Sequence, residues 1–125
     1  MWPGESGRDE RLAAAIASAR RDPPPVHRGD LLTDLPALAA QAPAGATLVI
    51  YHSAVLAYVA AEDRRRFIDT VRSLPAVWMS NESPGVVPGV SAPACQGGPF
   101  VLVRDGRTPL ACTDGHGAWV HWLTG

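Results

Sequence analysis

The sequence has no lysine: all 11 of its basic side chains are arginine. A P-loop lysine, a Schiff-base lysine and a lysine general base are therefore excluded for this chain acting alone. Cysteine is scarce, with two residues, Cys95 and Cys112. Neither belongs to a CxxC or Cys/His cluster, which argues against a structural zinc site. No stretch approaches the about 18 uninterrupted apolar residues of a membrane span. The N-terminus lacks the basic and apolar regions of a signal peptide, so a cytoplasmic protein with both cysteines as free thiols is expected. Charge of either sign is small in excess, the formal net charge being −1. A nucleic-acid binder usually carries a marked basic surplus, and none is expected here. No GxGxxG-like run follows a candidate strand.

What is present suits one compact domain. The chain has 125 residues, of which 46% are hydrophobic and 18% charged. A disordered polar chain cannot bury enough apolar area to offset its ordering entropy, and this composition can. Alanine, glycine, proline and arginine are all abundant, and all have GC-rich codons, so a high-GC bacterial genome accounts for the bias.

Along the chain, Ser6 can cap a helix running to about Arg21, with Leu12, Ala15, Ile16 and Ala19 on one face. Pro23, Pro24 and Pro25 stop it. Val26–Gly29 reads as a short strand, and Thr33 as a cap for a helix of about ten residues with Pro36 in its first turn. Thr47–Tyr51 is a continuous β-prone apolar run, the pattern of a buried parallel strand. Ala54–Val59 and Glu62–Leu74 read as helical, the second amphipathic with Phe67, Ile68, Val71 and Leu74 on its apolar face. Ala76–Ser80 reads as a third strand. Residues 82–99 form a loop long enough to suggest a function. Phe100–Val103, the Asp105-Gly106 turn, Thr108–Thr113 and Ala118–Leu123 read as a terminal antiparallel meander. Helix and strand alternate before it. The expected fold is therefore α/β: a three-layer, Rossmann-like half-domain with a mostly parallel sheet and a C-terminal meander.

In such a sheet, ligands bind beyond the C-terminal strand ends. That rule selects Asp30, then Tyr51, His52 and Ser53, then Asn81 and Glu82, with Pro84-Gly85 and the long loop as a lid. Asp30 either meets a ligand amine or caps the next helix. His52 and Ser53 are neighbours on a strand and point to opposite faces, so they do not form a nucleophile–base pair. Ser53 is expected to cap the following helix, with His52 hydrogen-bonded there or facing a pocket. Helix N-termini after Asp30 and Ser53 favour an anionic or carbonyl-bearing ligand. His116, between two glycines, reads as a surface turn. Arg64, Arg65 and Arg66 fan around a helix and read as a solvated face. Trp119 and Trp122 read as packing anchors.

Several runs together carry a resemblance. They are His27-Arg28-Gly29-Asp30 with Leu35-Pro36, Val49 to Leu56 with Glu62-Asp63-Arg64, and Trp78-Met79-Ser80-Asn81-Glu82 with Pro84-Gly85. Phe100 to Gly106 and Thr113 to Gly117 complete the set, and Trp2-Pro3 with Arg8, Arg11 and Leu12 fits the segment before it. The chain resembles the C-terminal part of a bacterial domain-of-unknown-function family, frequent in high-GC Gram-positive bacteria. That family is similar to class I S-adenosylmethionine-dependent methyltransferases. The resemblance implies that Asp30, Tyr51 and Ser53 are cofactor-binding and that His52, Asn81 and Glu82 are catalytic. It implies S-adenosylmethionine as cofactor of longer family members, and none for this chain alone, which lacks the Gly-rich loop. The chain is then the C-terminal portion of a longer domain, inactive by itself. The alternative is a non-catalytic module that binds a small molecule or a protein. A sheet edge at Val26–Gly29 without its usual neighbour implies a homo-oligomer, or pairing of that strand with Thr47–Tyr51.

Overall fold

The computed structural model describes residues 7–92, 95 and 100–123. The element order is α1 (Arg8–Arg21), α2 (Leu35–Ala39), β1 (Val49–Ser53), a 3-10 turn (Leu56–Tyr58), α3 (Ala61–Ser73), β2 (Val77–Glu82), β3 (Phe100–Arg104), β4 (Thr108–Thr113) and β5 (Val120–Trp122). The five strands form one sheet in sequence order, β1-β2-β3-β4-β5. Only β1 and β2 pair in parallel. The other three pairings are antiparallel.

The expected mostly parallel, Rossmann-like sheet is thus overturned in favour of a mixed and mostly antiparallel one. Two physical reasons account for it. First, Val26–Gly29 forms no strand. Three prolines precede it, and its one apolar residue, Val26, is 89% exposed. Nothing drives its burial, and β1 is left at the sheet's edge. Second, no helix links β2 to β3 among the described residues. A parallel neighbour needs a crossover, usually helical, whereas an antiparallel one needs only a return. Burial agrees: β2 alternates between half-buried and buried positions, and β3 does so up to its exposed last residue, Arg104, the signature of a sheet covered on one face.

The covered face is built from Ile50, His52, Trp78, Ser80, Glu82, Val101 and Val103. Against it pack Leu56, then Phe67, Ile68 and Val71 of α3, then Val86 and Val87. These three α3 residues were legible from helical spacing. Arg64 departs from a solvated role: its guanidinium donates to the carbonyls of Val59 and Val86, tying α3 to the 83–90 segment. A second cluster joins Cys95, Cys112, Val101 and Val103. The expected free thiols are not found, because Cys95 and Cys112 form a disulfide. Linear spacing could not show that the long loop returns to β4. With the bond in place, thiol state no longer supports a cytoplasmic location.

The opposite face is open. It carries Val49, Tyr51 and Ser53, then Met79 and Asn81, then Leu102, and is flanked by Val120 and Trp122 in cross-strand register. Val49 is 52% and Tyr51 61% exposed, so Thr47–Tyr51 does not include a strand buried on both sides. The α1 helix forms as expected, but none of its residues is buried. Ser6 lies outside the described residues, as does part of the 82–99 loop. The helix expected after Thr33 shortens to five residues, and Ala54–Val59 forms one 3-10 turn. The Asp105-Gly106 turn is present with both residues at positive φ, 54° and 62°. Gly106 has a second reason to lack a side chain: a Cβ there would collide with the Trp78 ring.

Candidate functional site

The carboxyl ends of β1 and β2 carry two separate polar networks, one on each face of the sheet. Alternation along the strands makes the division. His52 and Glu82 face α3, while Tyr51, Ser53 and Asn81 face the open side.

On the covered side, Glu82 is 2% exposed. Its Oε1 accepts from His52 Nδ1 at 2.8 Å and from the backbone N–H groups of Val55 and Leu56, each at 3.0 Å. Ala54 directs those two amides. It sits at φ 54°, a left-handed conformation that alanine adopts with strain, and its own N–H donates to the Asn81 carbonyl. A strained, non-glycine turn is a feature that must be held by its surroundings. Here Glu82 holds it.

The tautomer of His52 follows from its partners. Trp78 Nε1–H donates to His52 Nε2 at 2.9 Å, and an indole nitrogen can only donate. Nε2 is therefore the acceptor, and Nδ1 carries the proton that goes to Glu82. Phe67 meets the imidazole edge-on and Trp78 stacks with it. Both ring nitrogens are occupied within the fold, so His52 has no free atom for a reacting group. Burial pushes its pKa below the ordinary 6.5, against the raising effect of Glu82.

That direction fixes a pH dependence. The unfolded chain binds a proton on this histidine more readily than the folded one does. Stability is therefore expected to fall as pH drops through about 6.5 and to level off below the depressed folded value. Urea midpoints at about pH 7.5 and about pH 5.0 should differ in that sense. The difference should shrink in His52→Gln, and an unchanged difference would remove His52 as its source.

On the open side, Thr113 Oγ1 donates to Asn81 Oδ1 at 2.7 Å, and Asn81 Nδ2 donates to Ser53 Oγ at 3.1 Å. This chain crosses from β4 to β1 and faces a groove of about 560 Å3, lined also by Arg8, Tyr51, His116 and Trp119. The volume lies in the range of small-molecule sites. The Ser53 hydroxyl accepts from Asn81 and keeps its own proton for another acceptor. Ser53 does not cap the turn that follows it, where no side-chain cap bond forms.

Asp30 stands apart from both networks. Its Oδ1 accepts from the N–H groups of Leu32 and Thr33, while its own N–H donates to Asp34 Oδ2. That is turn chemistry, the capping alternative. A Cβ at Gly29 would lie 2.6 Å from Asp34 Oδ2, so a side chain there would displace the carboxylate that accepts from the Asp30 N–H. Hydrogen bonds from Asp30 and Thr33 hold the Asp34 carboxyl below its ordinary pKa.

The six residues expected at one pocket are thus divided among three places: His52 with Glu82, Tyr51 with Ser53 and Asn81, and Asp30. Neither Pro84 nor Gly85, expected to form a lid, lines the open groove; Val86 and Val87 are buried in the core on Glu82's side, and part of the expected lid lies outside the described residues. Sequence reasoning missed Thr113, because its place beside Phe100 at the same end of the sheet depends on strand register. It also missed Trp78 as the group that fixes the His52 tautomer. Trp119 and Trp122 remain 45% and 65% exposed and are not buried anchors. His116 lies in a turn held by Asp114, whose Oδ2 accepts from the N–H groups of His116 and Ala118. No helix is long and apolar enough to cross a membrane among the described residues, and no cluster there could hold a metal ion.

The family described as an uncharacterized protein conserved in bacteria (DUF2332) matches residues 1–122, and the chain belongs to it. No curated protein and no solved structure matches the chain.

Proposed function

We propose that this family member binds a small molecule bearing a carbonyl or carboxylate group in the open-face groove, with Ser53, Asn81 and Tyr51 as donors. The observation that carries this reading is the Thr113–Asn81–Ser53 chain opening on a groove of about 560 Å3. Its hydrogen bonds run one way, from Thr113 to Ser53. They leave the Ser53 hydroxyl proton and the second Asn81 amide proton for a ligand acceptor. Arg8 at the rim supplies positive charge nearby. The His52–Glu82–Trp78 network acts from behind: it fixes the ends of β1 and β2, on which Ser53 and Asn81 stand.

S-adenosylmethionine is not the proposed ligand of this chain alone. The sequence offers no Gly-rich loop whose backbone N–H groups could cradle such a cofactor. Calorimetric titration with S-adenosylmethionine is expected to give no saturable binding tighter than about 1 mM, and micromolar affinity would contradict this. Amide NMR with small carboxylates and primary amides tests the positive claim. Shifts should centre on Tyr51, Ser53, Asn81 and Thr113, and disappear in Asn81→Ala. Shifts confined to another surface would sink the reading.

A second reading, protein binding, rests on the outer edge of β1. That edge pairs with no strand among the described residues, and exposed Val49 and Tyr51 flank it. Such an edge is a template for strand addition, including from a second copy.

A further inference from the structure

We propose that the cavity beneath the 83–90 segment is a binding site for one internal water molecule, held between Ser80 and Glu82. The cavity lies on the covered face and is separate from the open-face groove. Its volume is about 10 Å3, and its lining includes Ser80, Glu82, Val87, Val90, Val101 and Val103. A single water needs roughly 10–15 Å3 by this kind of measure, together with two to four polar partners.

Two side-chain oxygens meet the second requirement. Ser80 is 0% exposed and Glu82 2%. Ser80 Oγ and Glu82 Oε2 are both buried, and neither has a hydrogen-bond partner among the described residues. They are therefore not bonded to each other. The two residues are alternate positions on β2, so both point from one strand to the same side. Glu82 Oε1 is saturated by three N–H donors, which leaves Oε2 as the acceptor facing this space.

Water fits this site better than other occupants of the same size. It can accept from the Ser80 hydroxyl and donate to Glu82 Oε2, satisfying both atoms at once. A monovalent cation would exchange its hydration shell for two side-chain oxygens and walls of valine, an unfavourable trade. A dry cavity would leave two buried polar atoms unpaired, which native interiors rarely tolerate.

The water also has a structural role. Glu82 bonds the 54–56 turn through Oε1, and through the water its Oε2 is anchored to the middle of β2. The carboxylate is then fixed from both sides, and with it the ends of β1 and β2.

A high-resolution crystal structure of the full chain tests the site directly. One solvent peak within about 2.6–3.2 Å of both Ser80 Oγ and Glu82 Oε2 is expected. In solution, water-17O relaxation dispersion should count one fewer long-lived water in Ser80→Val, whose added methyl group fills the space. Three crystal results would overturn the proposal: an empty cavity, a direct Ser80–Glu82 hydrogen bond, or a cation identified by anomalous scattering after a rubidium soak. An unchanged long-lived water count in a folded Ser80→Val protein would also overturn it. If that variant does not fold, the wild-type crystal structure still decides.

Discussion

Replacing Glu82 with leucine is expected to destabilise the fold by about 3–5 kcal/mol, the range for breaking a buried ionic or hydrogen-bonded pair. Leucine is close in size, so the loss is not chiefly one of packing. It comes from three N–H donors, on His52, Val55 and Leu56, that share Glu82 Oε1 and have no other acceptor among the described residues. Each buried donor left unpaired costs about 1–3 kcal/mol, and the costs are not additive within one network. Glu82→Gln separates the geometry from the charge. An amide oxygen can still accept from all three donors, and a loss of only about 1–2 kcal/mol is expected. Urea unfolding of the two variants beside the wild type makes the comparison. Against a domain stability of about 5–15 kcal/mol, the leucine variant should be marginal and the glutamine variant clearly folded. Equal losses in the two variants would show that charge, and not the three acceptor bonds, holds this end of the sheet.

The same substitution should reach the open face. Ala54 keeps its strained φ of 54° only while the amides after it are held by Glu82. Ser53 immediately precedes Ala54, and Ser53 Oγ is one end of the chain that runs through Asn81 to Thr113. A relaxed turn moves that hydroxyl. The covered network and the groove are thus coupled through one strand end of β1, although no side chain crosses the sheet.

Local pattern revealed the elements but not their neighbours. Phe67, Ile68 and Val71 recur at helical spacing, and that periodicity needs no tertiary information. The Asp105-Gly106 turn is written in residues that tolerate positive φ. Strand direction is different, because it depends on what lies between two strands. Alternating helix and strand suggested parallel pairing up to the C-terminal meander, yet β3 already runs antiparallel to β2. Val26–Gly29 resembled a strand only while its exposure was unknown. At the site, the choice of His52, Asn81 and Glu82 was a statement about strand ends, and all three do lie there. What remained hidden was the parity that sends Asn81 to one face and the other two to the opposite one. Two adjacent strand residues cannot share a pocket on one face, so Asn81 and Glu82 were separable from spacing alone. Trp78 as partner of His52 was not, since the pairing depends on the register between β1 and β2.

Opening the Cys95–Cys112 bond is expected to lower stability by about 3 kcal/mol, the chain-entropy value for closing a loop of this size. The sequence separation is 17 residues. The link constrains the unfolded chain, and in the folded one it fastens the segment after β2 to β4 at Cys95. That segment supplies Val86 and Val87, two of the buried residues over α3 and Trp78. The cysteines themselves are 2% and 5% exposed and pack with Val101 and Val103. Replacing both with alanine would add a packing loss, so oxidised and reduced forms of the wild-type sequence are the cleaner comparison. Thiol titration of the denatured, unreduced protein should find no free thiol. Urea midpoints measured with and without a phosphine reductant should then differ, with the reduced form lower. Because both sulfurs are buried, reduction under native conditions should be slow and should speed up near the unfolding midpoint. Two free thiols in the unreduced protein, or coincident midpoints, would mean that the segment is held by its valines alone. The first outcome would also restore the free-thiol reading of the sequence.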